Sequence, residues 1–266
     1  MLPDLLGSGT ASRAFWARLS RSSRRFLGLD YDGTLAPFQV RRMEACPASG
    51  AVAALEAVLR TQTEVAVISG RLLDEVLQLL GDPGITIVGS HGYEWRHGDG
   101  RRETVPLAPA QQRALSRAAD ELAQLSPAPD VEHKVASLAV HTRGLERPAA
   151  IAVQEQAAEI FERLSGQGPA EERVMWRPFD GGVELRAEGM NKGRVLHRLL
   201  GDEATDEESL AVYLGDDTTD EDAFVALQSR GGVGVKVGAS GGPTAASFTL
   251  RDPAAVVLFL QRWVSF

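Results

Sequence analysis

Short apolar runs that each stop at a polar or glycine-containing turn, with helical periodicity between them, constrain this 266-residue chain more than any other feature. Residues 26–29 run into Asp30, residues 65–68 into Ser69-Gly70, and residues 85–88 into Gly89. Late in the chain the pattern returns, with residues 210–214 ending at Gly215-Asp216 and a further run at 232–237. Helical spacing fills the gaps: 47–60, where Pro47 suits a first turn, 72–80 with Gly81 as its stop, 191–200 and 219–227. A closing helix spans 252–263, with Asp252 as N-cap and Pro253 behind it. Continuous apolar strands alternating with helices predict a doubly wound, mostly parallel sheet covered on both faces, an α/β fold.

The middle of the chain reads differently. Residues 100–186 hold two long helices, 109–125 and 148–164, and strands at 138–141, 174–176 and 182–185. A stretch of that length is not a loop in a compact domain. The expected organisation is a core of residues 1–99 and 187–266, interrupted by an inserted α+β domain at 100–186. Ahead of the core, Ala14, Phe15 and Leu19 lie on a short helix expected to pack against it.

Composition removes several classes of function. A net charge of −8 disfavours nucleic-acid binding, and no apolar run approaches the ~18 residues of a membrane span. The first residues lack a basic, apolar leader, so the expected location is the cytoplasm. Cys46 is the single cysteine, which excludes an intramolecular disulfide and a thiolate metal cage; a buried or incidental thiol is expected. The dinucleotide, Walker, zinc-protease and serine-esterase motifs are all missing.

Four segments carry chemistry, and each falls at a strand end or a helix start. Asp30-Tyr31-Asp32-Gly33-Thr34 places two carboxylates where they can converge on one cation, with amides beyond the turn suited to an anion. Ser69-Gly70-Arg71 opens a helix and combines a hydroxyl with free N–H groups, a seat for phosphate. Lys192, in Asn191-Lys192-Gly193, sits at the positive end of a helix, where a cation is unfavourable without an anionic partner. Residues 215–222 hold five acids, Asp216, Asp217, Asp220, Glu221 and Asp222. The last three suit a helix N-terminus, but the first two precede the helix, and such oxygen ligands suit Mg²⁺.

In this order the four segments resemble the haloacid dehalogenase phosphatase superfamily. Ser90-His91-Gly92 with Glu94, residues 131–143 and residues 215–222 resemble, within it, the trehalose-6-phosphate phosphatases, and the likeness extends from about Arg25 to Phe266. The resemblance implies a core of the superfamily's Rossmann-like type with an inserted cap. It also implies an Mg²⁺-dependent phosphatase that hydrolyses trehalose 6-phosphate to trehalose and phosphate, the last step of trehalose synthesis. Asp30 would be the nucleophile, and Asp32 the general acid and then base, with surroundings that favour its protonated form. Asp30, the Asp32 carbonyl and Asp216 would hold the metal. Lys192, Ser69 and the Gly33 amide would stabilise the transferring phosphoryl group, with Thr34, Asp217 and Asp220 supporting from behind.

The same likeness puts Glu132, Lys134, His141, Arg143 and Glu184 of the cap against the disaccharide, and Gly70, Arg71, His91 and Asn191 on the floor beneath it. Tyr31 would contribute only backbone, and Gly181-Gly182 would loosen the strand bearing Glu184. The expected partner is a small phosphorylated disaccharide met by a monomer, with neither nucleic acid nor membrane. Two alternatives stay open: a related sugar-phosphate phosphatase, of sucrose-phosphate or mannosylphosphoglycerate type, and a non-catalytic sugar-phosphate-binding module.

Overall fold

Apolar residues at helical spacing ahead of the first strand form α1 (Thr10–Arg21), which buries Phe15, Trp16 and Leu19. The computed structural model describes residues 2–39, 41–166, 168–179, 181–201, 208–239 and 242–266. After α1 come β1 (Arg24–Leu29), α2 (Ala51–Leu59), β2 (Thr63–Ile68), α3 (Leu73–Leu80), β3 (Thr86–Gly89), β4 (Glu94–Arg96) and β5 (Arg102–Thr104). Next are α4 (Pro109–Ala123), β6 (Asp130–His133), β7 (Ser137–His141), α5 (Arg147–Leu164), β8 (Val174–Phe179) and β9 (Gly182–Ala187). The chain closes with α6 (Lys192–Leu200), β10 (Ser209–Gly215), α7 (Glu221–Gln228), β11 (Val233–Val237), β12 (Phe248–Leu250) and α8 (Pro253–Trp263). Two compact units result: Met1–Glu103 with Asn191–Phe266, and Thr104–Met190.

The first unit is built on an eight-stranded sheet in the order β12-β11-β10-β1-β2-β3-β4-β5. From β12 to β3 every pairing is parallel, and β4 runs antiparallel to β3. This is the doubly wound, mostly parallel α/β sheet expected from the apolar runs. One face is covered by α1, α2, α3 and α8, whose Phe15, Trp16, Leu55, Val76, Phe259 and Trp263 pack on Leu27, Val67 and Val212. Phe15 meets Phe248 edge-on at 5.7 Å, and the Trp16 indole N–H donates to the Leu5 carbonyl at 3.1 Å, so the N-terminal segment is part of this core. The opposite face carries α6 and α7. Strand order turns over between β1 and β10, and ligands of such sheets bind beyond the strand ends at that point.

Some boundaries depart from the sequence reading. Gly50 sits in the left-handed region (φ 83°) immediately before α2, so that helix starts at Ala51 and Pro47 lies outside it. A single 3₁₀ turn, Thr218–Asp220, delays the start of α7 to Glu221. Cys46 is exposed, which removes the buried alternative: it leaves the 3₁₀ turn Arg42–Glu44 on a loop, and its N–H donates to the Glu44 carbonyl.

The second unit is a four-stranded antiparallel sheet, β6-β7-β9-β8, on which α4 and α5 pack through Leu115, Ala118, Leu122, Ala157, Ile160 and Phe161. The buried Gln111 amide of α4 donates to the Glu188 and Arg173 carbonyls at 2.7 and 3.0 Å, satisfying backbone acceptors at the strand ends. Gly182 does not loosen β9. A Cβ there would lie 2.1 Å from the Val140 carbonyl oxygen, so only glycine permits the observed pairing with β7. Among the described residues, no helix is long and apolar enough to cross a membrane.

Candidate active site

Parallel strands β1 and β10 pair in register, Leu29 with Leu214, so the residues that follow them emerge side by side. The Asp30 N–H continues the ladder to the Leu214 carbonyl at 2.9 Å, which leaves its buried carboxylate at the strand end. Lys192, the first residue of α6, reaches in from another segment. Its Nζ lies 2.9 Å from Asp30 Oδ1 and 2.6 Å from Asp220 Oδ1, and it is only 3% exposed. Here is the anionic partner that a lysine at a helix start requires: the chain's own carboxylates. Asn191 caps α6 by accepting the Arg194 N–H at 2.8 Å.

Asp30, Asp216 and Asp220 bring carboxylate oxygens within 4.8 Å of one another. Their environments differ. Asp220 is fully buried, and its Oδ1 accepts from Lys192 Nζ and, at 2.7 Å, from the Tyr213 hydroxyl. Its Oδ2 accepts the N–H groups of Asp216 and Asp217 at 3.1 and 2.9 Å. With four donors on two oxygens, Asp220 is a buttress and not a ligand. Asp216 is the contrast, because its buried Oδ1 has no hydrogen-bond partner among the described residues. Burial, with Asp220 nearby, pushes its carboxyl pKa up to about 7. Asp30 is also raised well above the ordinary range by burial, although Lys192 opposes the shift. Burial works against the charge on Lys192, yet Asp220 and Asp30 outweigh it and raise the lysine above its usual value.

An orphaned buried oxygen beside a second crowded carboxylate fits a hard divalent cation, which would relieve both costs. Two glycines shape this floor. A Cβ at Gly33 (φ 71°) would lie 2.1 Å from Asp216 Oδ2, and one at Gly215 would lie 2.2 Å from Asp220 Cγ. The Gly33 amide, expected at the phosphate, is engaged within its own loop. That N–H donates to the Ala36 carbonyl at 2.7 Å, closing the turn that lets the loop pass Asp216. Thr34, directly after it, is buried, and its hydroxyl has no partner among the described residues. Asp217 accepts the Thr218 N–H, capping the 3₁₀ turn.

Ser69 ends β2, buried, with its Oγ accepting the Arg71 N–H at 3.1 Å. Ser90 and His91, neither of them glycine, take left-handed φ values of 48° and 55°. The Ser90 hydroxyl holds this turn to Glu94 at 2.5 Å, while the N–H groups of Ser90 and His91 donate to the Arg71 and Ser69 carbonyls. Strain of this kind collects at functional sites. The His91 ring lies over Gly70, where a Cβ would sit 2.6 Å from its Cε1. Arg71, expected on the substrate floor, is bonded to the first catalytic segment. Its guanidinium grips both oxygens of Asp32, Nε to Oδ2 at 2.6 Å and Nη2 to Oδ1 at 2.7 Å. Asp32 is thus held in a two-pronged ion pair. Tyr31 also exceeds its expected role. It is fully buried, donates to the Ala45 carbonyl at 2.7 Å, and lies beneath Arg71.

In the second unit, Glu132, Ala139 and Glu184 share one row across β6, β7 and β9. Lys134 Nζ meets Glu184 Oε1 at 3.0 Å, and the Ser137 hydroxyl donates to the same oxygen at 2.7 Å. His141 Nε2 lies 2.8 Å from Glu132 Oε2. The Arg143 stem crosses Gly181, where a Cβ would lie 2.4 Å from its Cγ. Five predicted residues therefore cluster on one sheet as a polar surface of alternating charge. Sequence reasoning missed Tyr213, Ser137 and the Arg71–Asp32 pair. Tyr213 was readable only as an apolar strand residue, although Gly28 on the paired position of β1 marks the space its ring fills.

A family model described as trehalose-phosphatase matches residues 28–254. A trehalose-phosphate phosphatase of Mycobacterium leprae is 36% identical over 248 residues, covering 88% of this chain. The chain spans little more than half, 56%, of that relative's length. The C-terminal domain of Candida albicans trehalose-6-phosphate phosphatase aligns with a TM-score of 0.78 at 21% identity, over 100% of this chain and 99% of that one. A haloacid dehalogenase-like hydrolase from Bacteroides thetaiotaomicron aligns at 0.61 and 18% identity, over 90% of this chain and 99% of that one. At these identities the two structures speak to the fold alone.

Proposed function

The chain belongs to the trehalose-phosphatase family, and from that premise we propose that it is a phosphoric monoester hydrolase releasing phosphate from trehalose 6-phosphate as a cytoplasmic monomer. The observation that carries the reading is the meeting of three chain segments at one strand rim. Lys192 Nζ bridges Asp30 and Asp220 at 2.9 and 2.6 Å, beside the unpartnered oxygen of Asp216. The Asp30 carboxylate attacks phosphorus and becomes an aspartyl-phosphate as the bond to the sugar oxygen breaks. Asp32 delivers a proton to that departing oxygen. It then takes one from the water that attacks the aspartyl-phosphate, which restores Asp30 and frees phosphate.

Lys192 orients the nucleophile through Oδ1 and offsets charge on the phosphoryl oxygens, with Ser69 at their other side. Mg²⁺ held by the Asp30 and Asp216 carboxylates and the Asp32 carbonyl would let an anionic nucleophile approach an anionic ester. Buried, crowded carboxylates support that assignment. The cluster of Glu132, Lys134, His141, Arg143 and Glu184 would read sugar hydroxyls, which phosphate contacts alone cannot distinguish.

Phosphate release from trehalose 6-phosphate, with and without Mg²⁺ and beside glucose 6-phosphate and sucrose 6-phosphate, tests the reading. Metal-dependent turnover of the trehalose ester, absent in Asp30→Asn, is expected. Equal turnover of all three esters would remove the substrate assignment, and native turnover by Asp30→Asn would remove the nucleophile.

A further inference from the structure

All three guanidinium nitrogens of Arg71 are engaged within the chain. Both oxygens of Asp32 lie on its fork at 2.6 and 2.7 Å, and its third nitrogen, Nη1, donates to the Arg42 carbonyl at 2.9 Å. The guanidinium is 8% exposed and its carbon lies 5.6 Å from the centroid of the Tyr31 ring. The arginine backbone is fixed as well. Its N–H is held by Ser69 Oγ, and its carbonyl accepts the Ser90 N–H at 2.6 Å. Asp32, by contrast, is 27% exposed on a turn and would be free to rotate without its partner.

We propose that Arg71 is a positioning residue, holding the Asp32 carboxyl group in its working orientation and acting on the reaction through Asp32, not through the substrate. The proposal rests on the reading of Asp32 as the proton-transferring group. A planar fork fixes both the direction and the rotation of a carboxylate, which a single ammonium cannot do. Protonating one oxygen leaves the other on the fork, so the orientation survives both halves of the cycle.

Steady-state kinetics with trehalose 6-phosphate and Mg²⁺ on Asp32→Asn, Arg71→Lys, Arg71→Ala and the Arg71→Lys/Asp32→Asn double variant test this. Arg71→Lys is expected to lower kcat by ~10- to 100-fold, part of what a well-placed acid–base group supplies. KM should stay within ~3-fold, because substrate binding is not lost. The double variant should be no slower than Asp32→Asn alone, since residues acting as a unit are non-additive. Should Arg71→Ala fail to fold, Arg71→Lys keeps the stem and charge and still carries the test.

A tenfold rise in KM with kcat retained would place Arg71 on the substrate and overturn the proposal. So would additive losses in the double variant. Native turnover by Asp32→Asn would remove the acid–base reading and the proposal together, whereas a slow Asp32→Asn with additive Arg71→Lys removes the proposal alone. If wild type turns over p-nitrophenyl phosphate but not the disaccharide ester, the substrate reading fails. On the aryl ester, whose leaving group needs no proton, non-additivity then tests Arg71 through Asp32 only as the base of the second step, and additive losses there still overturn the proposal.

Discussion

Asp216 and Asp220 are four residues apart and equally acidic in the sequence, yet their surroundings divide their roles. Asp220 has every lone-pair direction answered, while Asp216 keeps one buried oxygen with no donor. That difference has a measurable sign. The Asp216 carboxyl is raised from 3.8 to about 7 by burial and Asp220, so between those values the folded chain holds a proton that the unfolded chain releases. Stability must then fall as pH rises through that window. In metal-free buffer, the thermal midpoint of the wild type should drop more between about pH 5 and 7 than that of Asp216→Asn. Parallel pH curves for the two proteins would contradict this account. Mg²⁺ should raise the wild-type midpoint near neutral pH, because a ligand of the folded state alone stabilises it, and should do so far less in the variant. Tyr213→Phe keeps the ring in place and deletes one donor to Asp220. A hydrogen bond to a charged acceptor contributes about 1.5–3 kcal/mol, and urea unfolding should show a loss of that order. An unchanged midpoint would mean that the tyrosine hydroxyl does not brace the site. None of this was legible from residue type alone, because spacing identifies acids at a strand end but not which of them is saturated.

Elements were legible where burial is two-sided. β1, β2, β3, β10 and β11 are hidden on both faces and so wrote continuous apolar runs. β4, β5 and β6 are three or four residues long and carry Glu94, Arg96, Arg102 and Glu132, so no period of two emerges from them. The close approach of α6 and α7 was equally hidden, although the sequence marks it with Gly193. A Cβ on that residue would sit 2.6 Å from the Asp222 carbonyl oxygen, a backbone atom that cannot swing aside. Gly193→Ala should therefore push α6 outward, at a cost of about 1–3 kcal/mol for an overpacked contact. Since Lys192 is the neighbouring residue, turnover should fall as well. Chemical denaturation with parallel assays measures both effects, and wild-type stability in the variant would show that the helices separate freely. The caps, on the other hand, were predictable. Asp252 accepts the Ala255 N–H at 2.8 Å ahead of Pro253, as its position before an apolar helix implied. Asp252→Ala should cost about 1 kcal/mol, read from the shift in the urea midpoint.

At the scale of the molecule, the two compact units divide the chemistry from the recognition in the function proposed here. The groups that would attack, transfer the proton, hold metal or offset phosphoryl charge, namely Asp30, Asp32, Asp216, Ser69 and Lys192, belong to the first unit, and Glu132, Lys134, His141, Arg143 and Glu184 belong wholly to the second. A substrate whose leaving group needs neither a proton nor sugar contacts separates the two contributions. With p-nitrophenyl phosphate, only the first unit's groups are required. Removing a hydrogen-bonding group from a site built for hydroxyls leaves its neighbours unpaired, which can cost a factor of ~10² or more in kcat/KM. Glu184→Gln also strips Lys134 and Ser137 of the anion they share at 3.0 and 2.7 Å. It should therefore lower kcat/KM for trehalose 6-phosphate by about that factor, while the aryl ester falls much less. Lys192→Ala should lower both esters together, because its partner Asp30 is the nucleophile proposed for either ester. The ratio of the two kcat/KM values in each variant is the readout. A Glu184→Gln protein that keeps the wild-type ratio would mean that discrimination does not come from the inserted unit.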